Sequence, residues 1–296
     1  MATVSVIMTA YNSSDFIEDA IGSILNQTNS NLELIVVDDG SVDETANIIN
    51  SFNDKRIKFI RNETNQGQSY SRNLAIKESS GSFIAIMDSD DIAYHDRIDK
   101  QLDYLLKHPE VSFCCSWADT IDENNCITGQ KKLTSDEGIV KLKLLFECPI
   151  IHPTVMWRKS DFIGNNLWYD EFFVYAQDYD LWSRATKKLR LGVIPQPLLK
   201  FRFRHSKSIS NSKKEIQIKY ASIISKRNLS QISSIAPILS KFDCLICRIL
   251  LYRTIVKSDY MSDVKELKID HFRRCLFDGS RLPFKVKKNL REFLLK

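Results

Sequence analysis

Three carboxylates stand within four residues in the segment Asp88-Ser89-Asp90-Asp91. They follow an apolar run, 83–87, that is typical of a buried strand. Mutual repulsion makes such a cluster costly unless a cation neutralises it. Small groups of oxygen ligands suit Mg²⁺ or Mn²⁺, which usually also bind phosphate oxygens of a substrate. The motif alone is equally compatible with acidic caps for the helix that follows.

A second acidic motif, Asp38-Asp39-Gly40-Ser41, also follows an apolar run. A carboxylate at this place can accept hydrogen bonds from ribose hydroxyls or from a base N–H. A local turn before a helix capped by Asp43 is the alternative interpretation. Taken alone, this second motif does not decide between the two.

The elements that would position these motifs alternate between apolar runs and amphipathic stretches. The pattern predicts strands at 4–10, 32–38, 57–60, 83–87 and 111–117, and helices at 16–27, 43–52, 69–77 and 96–107. It indicates an α/β fold with a mostly parallel sheet flanked by helices. Ligands of such sheets bind beyond the carboxyl ends of the strands, so Tyr11-Asn12, Asp38-Asp39 and 88–91 should converge. The region 119–147 is less periodic and is interpreted as a connector plus a helix.

Four ordered segments resemble the family 2 glycosyltransferases, inverting enzymes of the GT-A fold. They are Val4–Asn12, Glu33–Ser41, Asn65–Gly67 with Ser71–Asn73, and Asp88–Asp91. The match is dense over residues 4–100 and thinner to about 210. The resemblance implies a Rossmann-like GT-A catalytic domain over 1–210, with a nucleotide-binding half at 1–100 and an acceptor half at 101–210.

The resemblance also implies roles for individual side chains. The donor nucleotide sugar would be bound by Ala10, Tyr11, Asp39, Arg72, Asp88, Ser89 and Arg204. A Mn²⁺ or Mg²⁺ ion would be held by Asp90, with Asp91 sharing that role and His205 reaching the ion from a closing loop. Arg97 would either support the carboxylate loop or form a surface ion pair.

The acceptor side is implied by two further motifs. The segment Gln177–Trp182 resembles the family's E-D-Y-D-L-W sequence, in which the second residue is the general base, here Asp178. Gln177 replaces the commoner glutamate, and Asp180 is expected to be a cap or an internal hydrogen-bond partner. His152, in His-Pro-Thr, would lie on the acceptor side, although a purely structural histidine is the alternative.

The closing loop departs from the family pattern. Residues 204–210 resemble R-x-H-x-x-S-x-S, but the arginine usual two places before the histidine is Phe203. Arginines stand at 202 and 204 instead. The sequence leaves open which of the two faces the phosphates.

Charge is distributed unevenly along the 296 residues. Residues 198–296 contain 23 Lys and Arg against 8 Asp and Glu, whereas residues 1–197 are acidic. We expect a basic helical C-terminal region at 211–296, with amphipathic stretches around 242–250 and 286–294. It either packs on the catalytic domain or attaches to the anionic inner leaflet of a membrane. Nucleic acid is not an expected partner, because no recognised module accompanies the charge.

The start shows no signal peptide, and no apolar stretch is long enough to span a bilayer. Seven scattered cysteines, with Cys244 and Cys247 as a lone C-x-x-C, indicate a reducing compartment. We therefore expect a cytoplasmic protein, peripheral on the inner membrane.

The resemblance implies transfer of a sugar from a UDP-sugar to a lipid-linked glycan acceptor, on a polyprenyl-diphosphate carrier. It also implies a place in the synthesis of a bacterial O-antigen, capsule or exopolysaccharide. One alternative is a sugar-nucleotide nucleotidyltransferase, which would need a glycine-rich loop after the first strand, where 9–12 contains no glycine. The other is a catalytically inactive relative that acts as a binding subunit.

Overall fold

One nine-stranded sheet organises the residues that this computed structural model describes, 3–203 and 214–230. Its first four strands are β1 (Val4–Ala10), β2 (Leu32–Asp38), β3 (Ile57–Arg61) and β4 (Phe83–Asp88). They lie in the spatial order β3-β2-β1-β4, and all three pairings are parallel. These strands are the half of the sheet that the sequence predicts to bind nucleotide.

The remaining strands are β5 (Ile92–Ala93), β6 (Phe113–Ile121), β7 (Ile127–Lys131), β8 (Met156–Arg158) and β9 (Leu191–Arg202). Strand β8 is antiparallel to both β4 and β6, and β9 runs parallel to β6. At the far side, β5 pairs with β9, and β7 pairs with β6. The predicted α/β fold with a mostly parallel sheet is confirmed.

Helices cover both faces of the sheet. They are α1 (Ile17–Leu25), α2 (Thr45–Ser51), α3 (Gln68–Glu78), α4 (Arg97–Lys107), α5 (Glu137–Lys143), α6 (Lys159–Gly164), α7 (Gln177–Lys188) and α8 (Lys214–Ser230), with a 3-10 turn at His152–Thr154. Alternate side chains of β1 separate into two apolar layers, as the pleat requires. Val6 and Met8 belong to the layer with Ile17 of α1, and Ile7 to the layer with Trp182 of α7.

The strand register brings the polar motifs to one edge. Ala10 pairs with Asp38 across β1 and β2, and Thr9 pairs with Asp88 across β1 and β4. The carboxyl ends of three neighbouring strands therefore meet, as the sequence predicts.

Two local predictions are wrong in their bounds. Helix α2 begins at Thr45 rather than at Asp43, because an Asp43 carboxylate oxygen accepts the Thr45 N–H at 3.1 Å in an Asx-type turn. In the region 119–147, β6 continues to Ile121 and returns as β7, so a hairpin precedes the helix α5.

Arg97 is buried, so the predicted alternative of a surface ion pair is wrong. Its Nη2 donates to the carbonyl of Ile86 at 2.7 Å, and its Nε donates to Gln101 Oε1 at 2.9 Å. Burial lowers its pKa to about 10, while the nearby Asp91 and Asp88 oppose that shift. Arg97 thus supports the strand that ends in the carboxylate cluster.

Within residues 3–203 and 214–230, no helix is both long and apolar enough to cross a membrane. The four cysteines of this part, Cys114, Cys115, Cys126 and Cys148, are free thiols. Cys244, Cys247 and the predicted amphipathic stretches at 242–250 and 286–294 lie outside the described residues.

Candidate active site

The carboxylate cluster begins where β4 leaves the sheet. Asp88 accepts a hydrogen bond from Arg72 Nη2 at 3.0 Å. Burial raises the pKa of Asp88, and repulsion from Asp90 and Asp178 adds to this, whereas the Arg72 guanidinium lowers it. Because the charge of Asp178 acts on Asp88, the predicted base lies near the predicted nucleotide side.

Asp91 is the most buried member of the cluster. One of its oxygens accepts the backbone N–H of Arg202 at 2.8 Å, and the other, Oδ2, has no hydrogen-bond partner. Burial and the charges of Asp90 and Asp88 raise its pKa well above the ordinary value. Asp90 is half-buried, and Ser89 Oγ lies 2.8 Å from Ser13 Oγ. Crowded carboxylates with a buried free oxygen fit a site that a cation neutralises.

Arg202 is a structural residue of this loop. Its Nε donates to the carbonyl of Asp90 at 2.7 Å, and its two Nη atoms donate to Asp122 O and Asn125 Oδ1 at 2.7 and 2.6 Å. The side chain is buried and stacks 4.3 Å from the centre of the Phe16 ring. Its donors are directed into the protein rather than toward a phosphate. Arg204 and His205 lie outside the described residues.

Asp39 holds the loop after β3 in place. Its buried carboxylate accepts from Asn62 Nδ2 at 2.7 Å, Ser71 Oγ at 2.9 Å, and the N–H groups of Gln66 and Gly67 at 3.0 and 2.9 Å. Four donors around one carboxylate fix the backbone that leads into α3. The neighbouring Gly40 is required here, because a Cβ would lie 2.7 Å from the carbonyl carbon of Thr64.

Ala10 and Tyr11 stand at the end of β1. The buried Ala10 accepts the N–H of Asp39 at 2.8 Å through its carbonyl, which ties the first two strand ends together. The Tyr11 side chain, by contrast, is 48% exposed. An exposed aromatic ring beside a buried carboxylate leaves a face open for a planar ligand.

Arg72 links the nucleotide side to the acceptor side. Its buried guanidinium lies 5.5 Å from the centre of the Tyr169 ring, and the Tyr169 hydroxyl is 3.4 Å from His152 Nε2. Burial and the charge of Arg72 lower the pKa of His152 well below the ordinary value, so its ring is neutral. Tyr169 was missed from the sequence, because no motif surrounds it.

Asp178 lies in the first turn of α7. The preceding Ala176 has a left-handed backbone, with φ of 68°, which is strained for a residue with a side chain. One Asp178 oxygen accepts the N–H of Tyr179 at 2.8 Å. Burial raises the pKa of Asp178, and the Arg72 guanidinium opposes the shift. Gln177 donates to Gln68 Oε1 of α3 at 2.8 Å, so its amide joins the two helices.

Asp180 is an internal hydrogen-bond partner, one of the two roles predicted for it, and its partners are arginines. Its fully buried carboxylate accepts from Arg184 Nη2 at 2.6 Å and from Arg227 Nη1. Asp178 is therefore the carboxylate of α7 that remains available to act as a base. A half-buried carboxylate of raised pKa is suited to accept a proton.

Among the described residues, no three carboxylate, imidazole or thiol groups are arranged to hold a metal ion by themselves. Mg²⁺ and related ions are commonly bound by one or two carboxylates together with substrate phosphates. The pair Asp90 and Asp91 fits that kind of incomplete site.

The comparisons agree with this geometry. The model of glycosyl transferase family 2 matches residues 5–178. An uncharacterized glycosyltransferase of Haemophilus influenzae is 34% identical over 237 residues, which cover 77% of this chain and 73% of that protein. The Escherichia coli UDP-Glc:alpha-D-GlcNAc-diphosphoundecaprenol beta-1,3-glucosyltransferase WfgD is 36% identical over 216 residues, covering 73% of this chain and 82% of the relative.

A solved structure shares the fold. Residues 1–349 of S. aureus TarS superpose with a TM-score of 0.61 at 20% identity, covering 78% of this chain and 66% of that one. The same family is indicated by the sheet, by the carboxylates at its edge and by the family match over residues 5–178. The chain belongs to glycosyl transferase family 2 and is a glycosyltransferase.

Proposed function

We propose that this enzyme transfers a sugar, with inversion, from a UDP-sugar to a lipid-linked glycan acceptor in the synthesis of a bacterial surface polysaccharide. The observation that carries the proposal is Asp178, a half-buried carboxylate in the first turn of α7 whose charge acts on Asp88 at the strand edge, whereas Asp180 is held in ion pairs. The E. coli relative, a UDP-Glc glucosyltransferase named for a diphosphoundecaprenol-linked sugar acceptor, supports the choice of donor and acceptor.

The donor would lie along the edge formed by β1, β2 and β4. The exposed Tyr11 ring provides a face for the uracil base, and Asp88 provides an acceptor for a ribose hydroxyl. Arg72 holds Asp88 in position and offers a guanidinium atom, Nη1, that has no hydrogen-bond partner. Asp39 contributes by fixing the loop that begins α3, and Arg204 is proposed to reach the diphosphate.

Asp90 and Asp91, with His205, would hold Mn²⁺ or Mg²⁺. When bound, this ion would stabilise negative charge on the departing diphosphate. Asp90 is the main proposed ligand because it is half-buried, whereas Asp91 is buried and already accepts a hydrogen bond from the Arg202 N–H.

Asp178 would remove the proton from the acceptor hydroxyl while that oxygen attacks the anomeric carbon. Inversion requires a base on the face opposite the leaving group and needs no covalent intermediate. His152 and Gln177 would line the acceptor side. The neutral His152 can exchange hydrogen bonds there but does not supply a charge.

A panel of nucleotide sugars tests this proposal. Purified enzyme is incubated with UDP-, GDP-, ADP- and TDP-activated hexoses, with a polyprenyl-diphosphate-linked monosaccharide and Mn²⁺. We expect product from a UDP-sugar, with the opposite anomeric configuration, and UDP as the competitive inhibitor. Turnover of a different nucleotide sugar would refute the proposed UDP-sugar donor. Retention of configuration would refute the proposed inversion.

We further propose that residues 211–296, which follow the catalytic domain 1–210, attach the enzyme to the cytoplasmic face of the inner membrane. The support is their charge, because each basic residue near an anionic surface contributes about 1 kcal/mol and 198–296 holds 23 Lys and Arg. Deleting 281–296 should reduce cosedimentation with vesicles containing anionic lipid, while neutral vesicles serve as the control. Equal recovery of both proteins would rule out attachment by this segment.

A further inference from the structure

Helix α8 packs against the helix that carries the proposed base. Ser225 Oγ donates to the Leu145 carbonyl at 2.8 Å, which joins α8 to the segment after α5. The buried Asn228 donates from Nδ2 to the Leu144 carbonyl at 2.9 Å and to Ser183 Oγ of α7 at 3.0 Å. Its carbonyl oxygen, Oδ1, accepts from Lys187 Nζ at 3.0 Å. Helix α8 is thus attached to α7 by side-chain hydrogen bonds rather than by apolar contact alone.

Helix α8 also contacts the loop just before α7. The Tyr220 ring lies 5.9 Å from the rings of both Phe172 and Phe173, in edge-to-face arrangements. The Arg227 guanidinium lies 5.9 Å from the centre of the Phe173 ring. The same helix therefore contacts the chain on both sides of the strained residue Ala176, where α7 begins.

The strongest link is the buried ion pair at Asp180. Its carboxylate is fully buried and is neutralised by Arg184 of α7 and Arg227 of α8. Arg184 Nη2 also donates to the Trp168 carbonyl at 2.6 Å, so Arg184 is fixed in place. Without Arg227 the buried Asp180 carboxylate would keep Arg184 as its cation, but its Oδ1 would lose the partner that ties α7 to α8.

Asp180 lies two residues after Asp178, and its backbone N–H donates to the Ala176 carbonyl at 3.1 Å. A left-handed backbone at a residue other than glycine persists only where the surroundings over-determine it. The Arg227–Asp180 pair and the Phe173 contact are such surroundings, since they restrain the chain after and before Ala176. Asp178 lies within the restrained segment.

We infer that Arg227 is a positioning residue for Asp178, through Asp180 and Phe173, so that helix α8 completes the acceptor side of the active site. This inference rests on the proposed role of Asp178 as base. The family model matches residues 5–178, so α8 lies beyond the matched segment. Through Arg227, the first part of the C-terminal region thereby acts on the acceptor side of the catalytic domain.

The test compares Arg227→Met with Arg227→Lys and with Lys226→Met, which removes the exposed neighbouring charge on the same helix. We expect Arg227→Met to lower kcat by about 10- to 100-fold, because displacements of about 1 Å have effects of this size. The KM for the donor should change by less than about twofold. Arg227→Lys should recover part of kcat, and Lys226→Met should behave like the wild type. A kcat for Arg227→Met equal to that of Lys226→Met would overturn the inference.

A double variant separates positioning from simple stability. In Asp180→Asn/Arg227→Met no buried charge is left without a partner cation, so thermal stability should return toward the wild type. The kcat should nevertheless stay low, because the link between α7 and α8 is still missing. Full recovery of kcat together with stability would show a merely structural role and refute the inference.

Amide hydrogen exchange provides a readout that needs no turnover. Arg227→Met should exchange faster over 174–182 than Lys226→Met does, at a temperature where both are folded. Unchanged exchange there would also refute the inference. If the wild type transferred no sugar, the proposed function would fail, whereas the exchange comparison would still decide whether α8 restrains this segment.

Discussion

Replacing Asp178 by Asn should lower kcat for sugar transfer by about 10²- to 10⁴-fold, the usual contribution of a general base. An amide has nearly the same shape but cannot accept the proton of the acceptor hydroxyl. The hydrogen bond from the Tyr179 N–H can still be accepted by the amide oxygen, so the start of α7 should keep its structure. Donor affinity should therefore stay near the wild-type value, and initial rates with saturating donor measure the loss.

Glu171→Gln is the matched control for this variant. Glu171 is exposed in the loop that precedes α7, so the change removes a carboxylate from the same neighbourhood without touching the crevice. It should leave kcat within about twofold of the wild type, as expected for a surface substitution. If Asp178→Asn were as active as Glu171→Gln, the base would be another group.

The pH profile of the wild type should reflect the environment of Asp178. Burial raises its pKa, and the nearby Arg72 lowers it. A base works only when deprotonated, so activity should be present above this raised pKa and fall as the pH drops through it. The acid limb of kcat should thus lie above the range of an ordinary aspartate. Burial and the charge of Arg72 lower the pKa of His152 well below the usual value, so no ordinary histidine limb is expected near neutral pH.

Strands β1 and β2 were predicted at their observed bounds for a simple reason. They are buried on both faces between helices, so they appear as largely apolar runs that are followed by or end in polar residues. The position of the carboxylate edge follows from those bounds and from parallel pairing. The short strand β7 has the sequence ITGQK, is exposed throughout and pairs only with β6. It was missed because an edge strand without a buried face has no hydrophobic alternation.

The candidate site could be predicted only where chemistry is encoded locally. Asp88, Asp90 and Asp178 stand in motifs, and the register brings Asp88 to the strand edge. No local sequence pattern indicates that the Arg202 guanidinium donates its hydrogen bonds to Asp90, Asp122 and Asn125. These contacts join residues that are about 80 to 110 positions apart in the sequence. The pairing of Arg227 with Asp180 depends in the same way on how two distant helices pack.

Removing divalent metal should abolish transfer, and Asp90→Ala should lower kcat by about 10²- to 10³-fold. The physical reason is that a bound cation supplies several kcal/mol of charge stabilisation to a departing diphosphate, and each 1.36 kcal/mol is tenfold in rate. The structure supports a cation at this place, because Asp88 and Asp91 both have raised pKa values and Asp91 Oδ2 is buried without a partner. EDTA treatment followed by readdition of Mn²⁺ or Mg²⁺ measures the first effect.

Mn²⁺ binding in the presence of UDP, followed by electron paramagnetic resonance, measures the second effect without turnover. Asp90→Ala should weaken that binding. The control Asp15→Asn, which removes an exposed carboxylate in the loop after β1, should not.

The variant Asp91→Asn distinguishes the two candidate ligands. Its amide oxygen can still accept the Arg202 N–H, so the loop should hold. Retained Mn²⁺ binding in Asp91→Asn would assign the ion to Asp90, and retained binding in Asp90→Ala would transfer that role to Asp91. Activity that survives EDTA in the wild type would remove the metal from the mechanism, and the basic groups around the diphosphate would then carry the stabilisation alone.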